Sequence, residues 1–201
     1  FNIGIKAFPT CTIAGNTIVM TGTALFQLQQ NTLIANNIIA FNAGAGANDR
    51  SEFRSNCFWG NTDLVEEPAM PSPVGANGNI AADPMLADRL RGDLHIQPLS
   101  ACRDAGDDSA ATGTDIDGQP RVQGSHTDIG ADESDGTTWT RDPYVLKVKT
   151  TGDDLNDGFT WETALKTVSA AAALSGVGDE AWVAAFAAGL ACPEAASTSR
   201  S

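Results

Sequence analysis

The stretch TGDDLNDG, residues 151–158, places Asp153, Asp154, Asn156 and Asp157 within a few positions of one another. Converging carboxylate and amide oxygens suit a hard cation, so these four are candidate ligands for calcium. They do not fit the EF-hand loop, in which Leu155 would occupy the third ligand position and Ala164 the twelfth. The competing reading is an Asx-rich turn ahead of a helix, whose side chains bond their own backbone. Asp104, Asp115, Asp117 and Asp128 lie around Arg121 in the sequence and also allow two readings. One is an acidic metal site; the other is a buried ion pair between the arginine and one of these carboxylates. His95 and His126 have no partner at ligand spacing and read as strand or surface histidines. The cysteines at 11, 57, 102 and 192 form no CxxC and no Cys/His spacing, which argues against zinc. Their number suits either buried thiols or one or two disulfides.

The elements that would position these residues follow from a repeat. IAGNTIVMT (13–21), IANNIIAFN (34–42) and FRSNCFWGN (53–61) align without gaps. Ile13, Ile34 and Phe53 share one column, Asn16, Asn37 and Asn56 a second, and Ile18, Ile39 and Phe58 a third; the segments close on Thr21, Asn42 and Asn61. A period of about 20 residues with polar turns at fixed points is the mark of a solenoid. Successive coils then lie about 4.8 Å apart, the strand spacing of a sheet. An asparagine at the same corner of every coil can donate to one neighbour and accept from the other, building an amide ladder. Asparagine also tolerates the left-handed backbone of a tight corner. Asn16, Asn37 and Asn56 are therefore expected at equivalent corners, with Ile18, Ile39 and Phe58 stacked inside. A leucine-rich repeat fits less well, because Gln29, Thr32, Asn48 and Ser51 stand where its upstream leucines belong.

NNIIAFN and SNCFWGN resemble the last coils of right-handed parallel β-helix proteins of the pectate-lyase-like superfamily. NIAADPMLADRLRGDLHIQPLSACRDAGDD and TDIDGQPRVQGSHTDIGADE then resemble the segment that closes many bacterial surface or secreted β-helix proteins. That segment has the pattern DP…GD(Y/L)HL…SP(C)xDAG…D.DG.PR…DIGA.E and is matched here over residues 79–133. Ala101 stands where proline is usual and Asp132 where an aromatic is common. The resemblance implies a pairing of Cys57 with Cys102 as a disulfide, and hence an oxidising compartment outside the cytoplasm. Cys11 and Cys192 stay unassigned.

After SDGTTWTRDP (134–143), which reads as a linker, YVLKVKTTGDDLNDGFTWETALKTVSAAAALSGVGDEAWVAA (144–185) resembles the opening of another β-helix domain, a form also found in family 9 polysaccharide lyases. Tyr144, Leu146 and Val148 share one face of a strand. Thr160 reads as the N-cap of a helix whose apolar stripe is Trp161, Ala164, Leu165, Val168 and Ala172, with Gly176 ending it. DEAWVAA reads as the next strand. From about residue 187 the alanine-rich tail departs from the form and is expected to be irregular.

The expected architecture is thus all-β. It comprises the last coils and loop-rich closing segment of a right-handed parallel β-helix over 1–133, a linker over 134–143, and an incomplete second module with one helix over 144–201. Acids outnumber bases 25 to 12, a net charge of −13, which repels phosphate backbones and makes nucleic acid a poor partner. The longest apolar run, AWVAAFAAGLAC at 181–192, is too short to span a membrane. Polysaccharide or a cell-surface glycan is the partner class that the resemblance implies, with an extracellular or cell-surface location. Three functions stay open: a non-catalytic scaffold, part of a polysaccharide lyase or glycoside hydrolase whose active coils lie elsewhere, and an adhesin-like stalk. A lyase needs a cation or base cluster and a Lys or Arg base, and the coils hold only Lys6, Arg50 and Arg54. A glycosidase needs two carboxylates flanking a groove, and the one close pair, Asp49 and Glu52, shares a turn. No catalytic residue is assigned.

Overall fold

Triplets of apolar and β-branched residues punctuated by Gly, Asn and Thr form short strands that recur in threes. The computed structural model describes residues 3–6, 10–26, 31–47, 51–65 and 72–184. The first three strands are β1 (Ile3–Lys6), β2 (Thr12–Ala14) and β3 (Thr17–Val19). Three more follow as β4 (Thr23–Phe26), β5 (Thr32–Ala35) and β6 (Ile38–Ala40), then β7 (Gly44–Ala47), β8 (Ser51–Arg54) and β9 (Cys57–Trp59), and finally β10 (Asp63–Val65). Each of β1–β7 pairs in parallel with the third strand after it. This gives three sheets, ordered β1-β4-β7-β10, β2-β5-β8 and β3-β6-β9. The register keeps Ile13, Ile34 and Phe53 opposite one another, and likewise Ile18, Ile39 and Phe58. These six side chains, with Ala24 and Leu25, make one apolar core shared by the three sheets.

The corners use left-handed backbone, but not at the expected residue. The positive φ falls on Gly15, Asn36 and Ser55, each one position before the aligned asparagine, and again on Met20, Phe41 and Gly60. The aligned asparagines are therefore selected for their amides rather than for their backbone.

Two short antiparallel strands, β11 (Leu86–Asp88) and β12 (Asp93–Ile96), open the closing segment. Ile96, Cys102 and Ile129 from this segment cover Ile38, Ala40 and Cys57 on β6 and β9 in a second apolar cluster. The β3-β6-β9 sheet is thereby buried on both faces at its centre, which is why β6 reads as an unbroken apolar run.

The contacts divide the chain into two units, Phe1–Thr140 and Arg141–Ser201. Over the stretch expected as a linker, Ser134 is buried with its N–H on Asp128, and Trp139 exchanges backbone hydrogen bonds with the Gln97 side chain, all within the first unit.

In the second unit β13 (Val145–Lys149) pairs in parallel with β14 (Glu180–Ala184), joined by one helix, α1 (Val168–Leu174). Tyr144, Leu146 and Val148 are buried on one face, as their alternation requires. The helix is shorter than expected and begins at Thr167, not Thr160. Leu165 forms a bridge to Val148, and the Asp154 carboxylate accepts from the N–H groups of Lys166 and Thr167, so residues 160–166 are held out of the helix. Trp161 and Val168, assigned to an inward stripe, are exposed, and Ala171 is the buried helical residue. The tail beyond residue 184, with Cys192, lies outside the described residues.

A bidentate ion pair fixes the second unit. Arg141 reaches both oxygens of Asp179 at 2.7 Å while its guanidinium lies over the Tyr144 ring, and Asp179 also accepts from the N–H groups of Tyr144 and Gly176. The Arg141 hydrogen bonds hold the Asp179 carboxyl far below the ordinary carboxylate range. A depressed folded pKa contributes stability that is fully present above the unfolded value of about 3.9 and disappears as pH falls toward the folded value. Urea unfolding of this unit, followed by Trp161 and Trp182 fluorescence, should weaken progressively below about pH 4. Asp179→Asn should lower stability at neutral pH and flatten that acid slope; an unchanged slope would count against the pair.

Candidate functional site

Asn16, Asn37 and Asn56 are joined in one chain of amides. Asn16 Nδ2 donates to Asn37 Oδ1 at 3.0 Å, and Asn37 Nδ2 to Asn56 Oδ1 at 3.0 Å. Each acceptor oxygen also takes the backbone N–H of the preceding rung. A fourth rung, Asn79, accepts from Asn56 at 2.9 Å. It escapes the sequence alignment because its spacing of 23 residues breaks the period. A second column runs through Thr21, Asn42 and Asn61, with contacts of 2.8 and 3.0 Å. The aligned ends of the three segments carried that signal.

Cys57 and Cys102, the expected disulfide partners, are brought together in one buried cluster, here as free thiols. They share a hydrogen bond that lowers the Cys57 thiol pKa, while the same bond and burial push Cys102 strongly up. Asp153, Asp154, Asn156 and Asp157 are not brought together around a common centre. Asp153 accepts from Leu155 N–H, Asp154 from the Lys166 and Thr167 N–H groups just before α1, Asn156 donates to Ala164 O, and Asp157 accepts from Phe159 N–H and the Thr163 hydroxyl. Their oxygens serve backbone turns. Asp49 and Arg50 lie outside the described residues, and the exposed Glu52 pairs with Arg54 at 3.2 Å. Arg121 pairs with none of the four expected aspartates. It lies 3.5 Å from Glu133 and donates to the carbonyls of Gly130 and Gly15, tying the closing segment to the corner between β2 and β3.

The chemistry-bearing cluster is elsewhere, around His95. Asp93 and His95 sit two positions apart on β12, so both side chains leave the same face. The Asp93 Oδ1 lies 2.5 Å from His95 Nδ1. The other ring nitrogen, Nε2, is 3.1 Å from Asp117 Oδ2. Asp117 is aimed by a turn in which Asp115 accepts from the N–H groups of Asp117 and Gln119, with Gly118 at φ +80. That turn is fixed to the 131–133 segment by the bonds from Ile116 N–H to Ala131 O and from Glu133 N–H to Asp115. Asp132 comes from the same segment, buried at 3% exposure, its Oδ2 accepting from Ile96 N–H at 2.8 Å. Trp139 stacks on the imidazole with ring centres 3.9 Å apart and planes tilted by 17°.

His95, Asp117 and Asp132 thus offer one nitrogen and two oxygens, all within 4.8 Å of one another, the one such cluster of three among the described residues. Partial burial alone would lower the His95 pKa, but Asp93, Asp132 and Asp117 outweigh it and the net shift is upward. Burial raises Asp132, against the stabilising Ile96 N–H. The sequence reading missed this centre because its members lie on three separate segments. The available signals were the Asp93–His95 spacing and an acid at 132 where an aromatic is common.

Among the described residues no helix is long and apolar enough to cross a membrane. No family model, curated protein or solved structure matches the chain.

Proposed function

We propose that the chain is part of a secreted or cell-surface right-handed parallel β-helix protein, similar to the pectate-lyase-like superfamily, that serves as a non-catalytic scaffold binding polysaccharide. In this reading residues 1–133 are the last coils and closing segment of one β-helix, and residues 144–201 begin another. The observation that carries the reading is the parallel pairing of each of β1–β7 with the third strand after it, with asparagine columns along the corners. Such a stack grows by adding repeats and offers long flat faces, the form of a surface-presenting solenoid.

Trp59 gives the first unit a contact of the required kind. It stands 39% exposed on β9, in register with Ala40 and Val19. An exposed indole offers a flat apolar face to the C–H faces of a sugar ring, with an N–H for its hydroxyls. The charge of −13 favours a neutral glycan over a uronate polymer.

Affinity electrophoresis through gels containing neutral glucan, xylan or mannan tests the proposal. The full chain should be retarded by at least one of them without shortening it, and Trp59→Ala should weaken the retardation. Retardation by none would contradict the scaffold reading. New reducing or unsaturated chain ends would replace it with the enzyme reading.

A further inference from the structure

We propose that His95, Asp117 and Asp132 form a binding site for a divalent first-row transition-metal ion of the Zn2+ type, which ties β12, the 115–118 turn and the 131–133 segment together. The inference rests on the side chains of the closing segment and not on the polysaccharide reading.

The donor set selects the ion. Imidazole nitrogen with two carboxylate oxygens suits zinc and its first-row neighbours, whereas Ca2+ takes oxygen ligands almost throughout. The ring is also held as a ligand should be. In the neutral tautomer whose Nδ1–H donates to Asp93, the lone pair is on Nε2, facing Asp117 Oδ2 at 3.1 Å. This carboxylate–imidazole–metal arrangement is the usual outer support of a ligating histidine. A lone pair facing a carboxylate oxygen at that distance requires a cation between them, either a proton or a metal ion. Trp139 stacked on the ring prevents its rotation.

Asp132 supplies the buried carboxylate of the set. It is 3% exposed, and its Oδ2 accepts the Ile96 N–H. Its Oδ1 is not among the buried atoms that lack a partner, so it keeps access to solvent and to an incoming ion. The three ligand atoms lie within 4.8 Å of one another. Tetrahedral ligands about 2.0–2.2 Å from zinc are about 3.4 Å apart, so a modest inward swing by the exposed Asp117 completes three ligands. Water fills what remains of the coordination sphere on the open side of Asp117.

The test is a Zn2+ titration of the full chain in a non-thiol reductant at mildly alkaline pH. Calorimetry gives the affinity and the 15N resonances of the histidine rings give the ligand. Zn2+ should shift the His95 Nε2 resonance and leave His126, whose ring faces Asp108, where it was. His95→Gln and Asp132→Asn should each weaken binding by about tenfold or more, Asp93→Asn by about tenfold through the lost outer support, and His126→Gln not at all. The wild-type ring shift decides the matter even where a variant fails to fold. No His95 shift would mean that the Nε2 partner is a proton only, and would overturn the site. Binding unchanged in His95→Gln would move the metal to the thiols and overturn it too. A Ca2+ response equal to that of Zn2+ would remove the nitrogen ligand from the account and overturn it as well.

Discussion

Replacing Asn37 with alanine is expected to destabilise the first unit by about 3–5 kcal/mol, at the upper end of single-residue effects. Asn37 is fully buried. Its Nδ2 donates to Ile13 O, Ala35 O and Asn56 Oδ1, and its Oδ1 accepts two N–H groups of Asn16. Alanine fills part of the volume but removes all five of these hydrogen bonds. Ala35 O keeps the Gly15 N–H and Asn56 Oδ1 the Asn37 N–H, while the Asn16 N–H loses its acceptor. A buried group left so costs about 1–3 kcal/mol. Asn37→Asp should be no better. Its shape is preserved, but it has no donor for the two carbonyls and brings a charge into the core. Asn16, half-buried at the first rung, should lose only about 1 kcal/mol on the same truncation. Urea unfolding followed by far-ultraviolet circular dichroism measures the series. Equal small losses at both positions would mean that the amide column does not hold the sheets.

Mild oxidation is expected to join Cys57 to Cys102 and to raise the stability of the first unit by about 4 kcal/mol, the chain-entropy value for a loop of this length. Both thiols are buried in one cluster, with Cys57 on β9 and Cys102 in the closing segment. The neighbouring Cys102 lowers the Cys57 thiol pKa, and Cys57 donates to Ala82 O at 3.2 Å. Each sulfur gives up one electron and one proton to the oxidant, so the gain should require an oxidant and vanish with a reductant. Peptide mapping after alkylation of the unfolded chain identifies the pair, and Cys57→Ala should show no oxidant-dependent gain. Two alkylatable thiols after oxidation would contradict the expectation.

The repeat was legible because its physics is local. The three aligned segments give the register of Ile18, Ile39 and Phe58, and the amide columns follow from strand spacing. What escaped depends on chain passing over chain. Asn79 becomes the fourth rung only after an insertion that no period could reveal. Arg121 chose Glu133 and two carbonyls over Asp115, Asp117 and Asp128, which are nearer in sequence, because a buried guanidinium is placed by geometry rather than by sequence distance. The start of α1 was misread for a similar reason. Leu165 is drawn to β13 by tertiary pairing, Thr167 caps the helix, and Asp154, expected among calcium ligands, instead holds the Lys166 and Thr167 N–H groups just before it. The His95 centre was invisible as a spacing, since its parts converge from 93–95, 117, 132 and 139.

The proposed fold is a right-handed β-helix with its asparagines in columns, in which each of β4–β10 adds to the third strand before it. A crystal structure of the full chain tests this most directly. The account predicts Asn16, Asn37, Asn56 and Asn79 in one line at about 4.8 Å intervals, Ile18, Ile39 and Phe58 stacked inside, and a right-handed path from β1 to β10. Asparagines on different faces, or strands paired antiparallel with their sequence neighbours, would contradict it.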